Sequence, residues 1–283
     1  MSLIFNPLTG GFDIDKTTGA TGTDGWSKNQ LMMPLTILLN SSSSSSSSSF
    51  VGIKYNITIT STSWELRDSG SVNYTVDWGD GNTQTSTSNN LNHTYATAGN
   101  YVVTVTPTGT YRPYWSMSSA GNNITSIEIG TDSSWNLGTN LQRAFWNVNM
   151  TSFTINPLAT ANVTNMRDAF KATDLVEMPS LDYSSLTSIF ATFAFCSSLT
   201  TFPANQFDNS PFASNFGLFT FLGCALTAQS IENILTSMDT NGVSNGNIWM
   251  QGGTNAAKTT WTTAANTAYT NLVNKGWSIS HNA

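Results

Sequence analysis

Between residues 51 and 105, apolar side chains occupy every second position in three runs. These are Val51, Ile53, Tyr55, Ile57 and Ile59; then Val72, Tyr74, Val76 and Trp78; then Tyr101, Val103 and Val105. Alternation with period two turns one face of an extended chain to a core and the other to water, so each run predicts a half-buried strand. Gly79-Asp80-Gly81-Asn82 supplies tight-turn chemistry after the second run. Several short strands broken by turns predict a β-sandwich.

Past residue 122 the pattern acquires a long period. Ile124, Met150, Leu175, Leu199 and Leu226 each open a short hydrophobic segment, at spacings of 26, 25, 24 and 27 residues. A second element recurs in phase: Asn140-Leu141-Gln142-Arg143-Ala144-Phe145, Asn165-Met166-Arg167-Asp168-Ala169-Phe170 and Ser188-Ile189-Phe190-Ala191-Thr192-Phe193. Its fourth copy, ending at Phe221, is slipped by about one position. Periods of this length, with one strand and one helical turn each, mark a repeat solenoid. The tail would cap it. Residues 226 to 239 predict a helix with Ile231, Ile234, Leu235 and Met238 on one face, stopped at Asn241-Gly242. Residues 247 to 251 predict a strand, and residues 259 to 275 a second helix with Trp261, Ala265, Ala268, Leu272 and Val273 facing inward. Gly276 stops that helix, and residues 277 to 280 form a last strand.

Two resemblances attach to these segments. Tyr74-Thr75-Val76-Asp77-Trp78-Gly79-Asp80-Gly81, with His93-Thr94-Tyr95, Gly99-Asn100-Tyr101 and Val103-Thr104-Val105, resembles the PKD family of immunoglobulin-like domains. That resemblance implies a binding or spacer module without catalytic residues. It also implies that Trp-Gly-Asp-Gly ends a strand in a tight turn, with His-x-Tyr and Gly-x-Tyr packing the opposite sheet. The Leu-Thr-x-Phe segments of residues 123 to 225 resemble the BspA-like branch of leucine-rich repeats, with Ile124 and Met150 departing from the usual Leu.

The first fifty residues do not read as a compact domain. Residues 31 to 39 form an apolar patch in need of a partner surface, and nine consecutive serines follow at 41 to 49. The serine tract buries nothing and reads as a linker, and a homopolymer this regular also admits reading as a placeholder. Ahead of them, Leu3-Ile4-Phe5-Asn6-Pro7-Leu8-Thr9-Gly10-Gly11-Phe12-Asp13 resembles a segment at the start of many tailed-phage virion proteins. The resemblance implies that Phe5, Asn6, Pro7, Leu8, Thr9, Gly10 and Phe12 anchor the chain to a larger assembly, with the large apolar residues entering grooves. The alternative is a disordered terminus.

The expected architecture is therefore multidomain and mainly β. Residues 1–50 are an extended anchoring arm and Ser linker, 51–108 a PKD/Ig-like sandwich and 109–122 a linker. Residues 123–225 form a short leucine-rich-repeat-like solenoid, and 226–283 an α/β cap.

Composition narrows the function. Charged residues are only 9% of the chain, against roughly 25% in an ordinary domain, so solubility rests on hydroxyls and amides. The net charge of −6 and ten scattered Lys and Arg argue against a nucleic-acid partner. No apolar run reaches the roughly 18 residues of a membrane span, and no secretion signal is recognisable. Two cysteines and two histidines make neither a disulfide framework nor a metal cluster, so no cofactor or metal is expected. Cys196 and Cys224 occupy nearly equivalent repeat positions and read as neighbouring buried thiols rather than a disulfide.

Candidate chemistry is sparse. Asp77 and Asp80 flank Trp78, but Asp in such a turn more commonly accepts backbone N–H bonds than acts as an acid–base pair. His93 reads as a packed sandwich residue, and no nucleophile motif is present. A glycan depolymerase would need a carboxylate pair, and Asp168, Asp174, Glu177 and Asp182 show no such spacing. No catalytic residue is assigned, and the chain is expected not to be an enzyme. Tyr111, Tyr114 and Trp115 in the linker could stack on sugar faces, or could pack between the domains.

Together these features lead to the expectation of an accessory structural protein of a tailed-phage virion, a head decoration, head fibre or tail appendage. It would be made in the host cytoplasm, displayed on the virion surface and attached to other virion proteins. Homo-oligomeric and not membrane-inserted, it would bind host-surface glycans. The rival expectation is a bacterial cell-surface adhesin carrying the same two kinds of module.

Overall fold

The computed structural model describes residues 3–6, 11–14, 50–69, 72–116, 119–130, 135–212 and 217–283. The chain divides into two compact units, Met1–Ser44 and Ser45–Ala283.

In the first unit, β1 (Leu3–Asn6) and β2 (Gly11–Ile14) pair antiparallel, with Phe5 opposite Phe12 and Asn6 opposite Gly11. The expected extended arm therefore folds back on itself. The apolar patch at 31 to 39 and the serine tract lie outside the described residues.

The second unit begins with β3 (Gly52–Ile59), β4 (Ser63–Arg67), β5 (Tyr74–Asp77), β6 (Thr83–Ser86), β7 (Asn90–Thr94) and β8 (Gly99–Pro107). It continues through β9 (Ile124–Gly130) and β10 (Ser152–Ile155). These strands make a six-stranded sheet in the order β10-β9-β3-β8-β5-β6, facing a two-stranded sheet of β4 and β7. The alternation places Ile53, Tyr55, Ile57 and Ile59 of β3 in the core, with Val103 and Val105 of β8 beside them. Trp64 and Leu66 of β4 close the sandwich from the other side. Trp64 lies 6.4 Å from Trp78, ring centre to ring centre, nearly edge-on.

Strand β3 pairs on its second edge with β9, antiparallel and with a bulge at Asn56/Ile57, and β10 lies parallel to β9. The sandwich sheet thus runs straight into the repeat region. Gly52 faces Gly130 at that seam. A Cβ on Gly52 would sit 2.4 Å from the Val105 carbonyl oxygen, and Gly52 has φ +135°, so only glycine fits there.

Residues 135–212 and 217–223 form a stack of turns joined by parallel bridges such as Asn140↔Asn165 and Asn165↔Ser188. The first two turns each start with an Asx-type bond: the Asn140 side-chain oxygen accepts from the Gln142 N–H (2.9 Å), and Asn165 from Arg167 (3.0 Å). Two left-handed residues then fall four apart in every turn: Arg143 and Asn147, Asp168 and Ala172, Ala191 and Phe195, Phe219 and Gly223. This turns alternate N–H groups the same way. Leu141, Arg143, Phe145 and Asn147 donate to the carbonyls of Asn165, Arg167, Ala169 and Lys171 (2.8–3.0 Å). Met166, Asp168, Phe170 and Ala172 repeat the pattern toward Ser188, Phe190, Thr192 and Ala194.

A left-handed L-residue costs about 1–2 kcal/mol, hence roughly 2–4 per turn. Four inter-turn hydrogen bonds at about 1 kcal/mol each offset that. One buried Phe per turn contributes a further 1.5–3 kcal/mol or so. Those rings form a continuous ladder: Phe145, Phe170, Phe193 and Phe221 are all buried, with successive centres 5.1, 5.7 and 5.3 Å apart.

The tail carries α1 (Ala228–Asn241), β11 (Asn247–Met250), α2 (Thr263–Asn274) and β12 (Ser278–His281), with β11 and β12 parallel. Thr227 caps α1 through the Ser230 N–H, and Gly242 ends it at φ 81°. Helix α2 starts at Thr263, later than expected, because the Thr262 hydroxyl caps it through the Ala265 N–H. Residues Lys258–Thr260 form a separate 3-10 turn, and Trp261 is buried ahead of the helix. Val273 is not an inward residue: it is 43% exposed. Leu272 already takes the inward position, and consecutive helical residues point about 100° apart.

Candidate recognition surface

The sequence-derived anchor residues fall in the first unit. Phe5, Asn6 and Phe12 lie on the paired strands β1 and β2, while Pro7, Leu8, Thr9 and Gly10 lie outside the described residues.

The aromatic segment at 111 to 115 is placed differently from the glycan-stacking expectation. Tyr111 and Trp115 are 0% and 1% exposed. Trp115 packs against Tyr55 (5.4 Å) and Trp64 (5.3 Å), and Tyr111 against Tyr74 (5.4 Å). Rings enclosed on this scale offer no face to a sugar, which corrects that reading for both residues. Tyr114 is half-buried, with the Arg112 guanidinium 5.3 Å from its ring centre.

The segment instead closes the open end of the turn stack. Because each turn donates N–H bonds forward, the first turn is left with backward-facing carbonyls. The Tyr111 N–H donates to Asn136, the Trp115 N–H to Ala144 (both 3.0 Å), and the Arg112 guanidinium to the Gln142 carbonyl. Burial pulls the Arg112 pKa below its ordinary value.

The sandwich turn behaves as its residue types dictate. The Asp77 carboxylate accepts the Gly79 N–H (2.9 Å), and Asp80 accepts the Asn82 N–H (3.0 Å). Gly79 has φ +77°, and a Cβ there would meet the Val102 carbonyl oxygen at 2.6 Å. His93 bonds Asp80 through Nε2 (2.8 Å), stacks on Trp78 at 4.6 Å and meets Tyr95 edge-on at 4.5 Å. Burial pushes the Asp80 carboxyl upward, but the hydrogen bonds and charge of His93 and the bonds from Asn82 hold it below its ordinary value. His93 lies on β7, in the sheet opposite β5. Tyr101 does not: β8 pairs directly with β5, so the Gly-x-Tyr element belongs to the same sheet as the Trp-Gly-Asp-Gly strand.

The four repeat carboxylates do not converge. Glu177 lines an open recess of about 370 Å³ with Phe153 and Val176. Asp182 lines a smaller polar recess of about 150 Å³ with Tyr183 and Asn205. Asp174 is exposed, and Asp168 is buried beneath cations. Both cysteines are buried and free. Cys196 Sγ donates to the Phe170 carbonyl and Cys224 Sγ to the Phe193 carbonyl (both 3.0 Å), and burial pushes Cys196 up to about 11. Among the described residues no three His, Cys, Asp or Glu side chains gather as a metal site, and no helix is long and apolar enough to cross a membrane.

One surface was not foreseen. Successive turns bring Arg143, Arg167 and Lys171 around the Asp168 carboxylate at 4.0, 3.6 and 3.3 Å. Half-buried rings interleave with them. The Arg143 guanidinium and the Lys171 ammonium lie 5.1 and 4.9 Å from the Trp146 ring, and Arg167 lies 4.5 Å from Phe190. Phe195 is 53% exposed beside them. The ten basic residues are thus not uniformly scattered in space. The signal was present, since Gln142-Arg143 and Arg167-Asp168 occupy the same phase of consecutive repeats.

An antiparallel two-sheet sandwich of this layout is immunoglobulin-like. A model of the PKD domain matches residues 51–111, covering β3 through β8 and Tyr111. No curated protein and no solved structure matches the chain.

Proposed function

We propose that the chain is an accessory structural protein of a tailed-phage virion, a head decoration or fibre or a tail appendage, that acts by adhesion rather than catalysis. Its N-terminal residues, Phe5 to Gly10 and Phe12, dock on other virion proteins. The PKD domain and the turn stack, read as BspA-like leucine-rich repeats, are displayed to bind host-surface glycans. Residues 31 to 39 supply the contact between copies, and many copies convert weak contacts into avidity.

The observation that carries the display reading is the single sheet β10-β9-β3-β8-β5-β6, which runs from the sandwich into the repeats. A shared sheet joins the two modules into one body, suited to displaying a ligand surface. The phage assignment is supported by the N-terminal motif. Phage particles purified with the full-length protein and with a variant lacking residues 1 to 16 provide the test. Retention of only the full-length protein sustains the reading. Absence of both from particles, or equal retention, sinks it in favour of a bacterial surface adhesin.

A further inference from the structure

We propose that the ridge of Arg143, Trp146, Arg167, Lys171 and Phe195 binds an acidic polysaccharide, the cations taking sugar carboxylates and the rings taking the C–H faces of the sugars. The inference deepens the adhesive reading above and rests on it for the glycan class of ligand. Three cations surround one carboxylate, and the exposures decide which of them faces solvent. The Arg143, Arg167 and Lys171 side chains are 40%, 49% and 25% exposed, whereas Asp168 is 7% exposed. Asp168 therefore holds the cations in place from beneath while Arg167 and Lys171 keep outer donors for a ligand, and Arg143 also bonds the Tyr114 hydroxyl. It sits at φ 54°, in the left-handed position that recurs in each turn, and its carboxylate reaches Arg143 of the preceding turn as well as Arg167 and Lys171 of its own. The result is a cationic spot on a chain whose net charge is −6, next to flat rings that water wets poorly.

Charge complementarity selects an anion, and charge density selects which one. Duplex DNA carries about one charge per 1.7 Å, and neutralising it takes many phosphate contacts. Three cations on an acidic chain cannot match that density. An acidic polysaccharide with one carboxylate per one or two sugars can be matched, and its sugars offer apolar faces for Trp146 and Phe195. Guanidinium groups additionally suit carboxylates by bidentate geometry.

The test measures binding of the full-length protein to polygalacturonate and hyaluronate oligosaccharides by calorimetry, with uncharged dextran and single-stranded DNA as competitors. The expected result is binding to the acidic sugars, weakening about tenfold or more from 0.05 to 0.5 M salt as screening lengths shrink. R167Q/K171Q should lose at least tenfold in affinity, and W146S/F195S should lose a similar factor while keeping the salt dependence. R167K, which keeps the charge but not the bidentate fork, should fall between the parent and R167Q/K171Q, and circular dichroism should show all variants folded. The proposal is overturned by no binding to either acidic sugar, by equal binding of dextran, or by tighter binding of DNA. Unaltered affinity in both folded double variants, or salt-reversible self-association through this ridge in place of sugar binding, would overturn it too. Particle association is scored separately: its loss with sugar binding intact sinks only the phage anchor, and the converse sinks only the ridge.

Discussion

The Trp115 backbone N–H donates to the Ala144 carbonyl at 3.0 Å, tying the segment that leaves the sandwich to the first turn of the repeat stack. Around that bond, residues 111 to 116 do for the stack what a cap does for a helix. They supply donors to carbonyls that no preceding turn can satisfy. The ring of Trp115 is meanwhile packed on Tyr55 of β3, so the same residue serves both modules. A capped end and a shared sheet together couple the folding of the sandwich to that of the stack.

Arg112 is the charged member of this cap. Replacing it with Met removes the guanidinium donor and leaves the part-buried Gln142 carbonyl without it. A charge-assisted bond of this kind is worth about 1.5–3 kcal/mol, so urea denaturation of R112M should show a loss in that range. R112K should recover part of it. No change in either variant would remove the cap from the account.

The phenylalanine ladder sets the larger stability effect. Phe170 lies between Phe145 and Phe193 and has Phe153 edge-on at 5.1 Å. Phe170→Ala should cost about 3–5 kcal/mol, because neighbours locked in adjacent turns collapse poorly into the cavity. Phe170→Leu should cost markedly less. The check is the shift in denaturation midpoint at constant slope.

The left-handed positions give a prediction of opposite sign. Ala172 has φ 55° and is half-buried, whereas Ala169 is not among the positive-φ residues. Glycine relieves about 1–2 kcal/mol of steric cost at a left-handed site and loses about 0.5–1 to chain entropy. Ala172→Gly should therefore be neutral or stabilising by up to about 1.5 kcal/mol, and Ala169→Gly destabilising by about 0.5–1 kcal/mol. Equal destabilisation by the two substitutions would contradict the turn geometry.

What could be read from the sequence follows from the range of the forces involved. Strands β3, β5 and β8 were legible because each buries alternating large residues such as Ile53, Tyr74 and Val103. The repeats were legible because one aromatic, from Phe145 to Phe193, recurs in phase. Strands β6 and β7 were not: Thr83–Ser86 buries nothing, and Leu91 is the one aliphatic side chain of Asn90–Thr94. Neither strand carries an alternating apolar face, so periodicity does not reveal them, and β7 was marked only by the His-x-Tyr resemblance. The pairing of β3 with β9 joins Tyr55 to Ile127 across the chain, and no local periodicity encodes such a partner. The cation ridge shows in the sequence only when the repeats are aligned in phase. Arg143 and Lys171 are neighbours only once the repeats are stacked in register.

The thiols allow a reactivity test. Cys196 is fully buried, donates to the Phe170 carbonyl and is pushed up to about 11, and Cys224 is also raised by burial and by the neighbouring Cys196 thiol. A folded-state pKa above the ordinary thiol value of about 8.5 means that the neutral form stabilises the fold. That stability is complete below about pH 8.5 and declines as pH rises toward the folded value. Native protein should resist a thiol reagent at pH 8 and react at both cysteines once unfolded. Cys196→Val should flatten the decline in stability at alkaline pH. Rapid labelling of the native protein would show that the stack opens.

Asp80 predicts the acid limb. Its carboxyl is held below its ordinary value by His93 and Asn82 despite an opposing push from burial. A depressed folded-state pKa means that the unfolded chain takes up the proton first as pH falls. The contribution is therefore fully present above the ordinary carboxylate value of about 4 and is lost below it, as Asp80 itself protonates. Asp80→Asn can keep the turn bond to the Asn82 N–H but removes the charge facing His93. The variant should be less stable than the parent at pH 6, and the gap should close as pH falls through the carboxylate range. Thermal unfolding across that range measures it, and a gap that stays constant with pH would assign the effect to turn geometry rather than to charge.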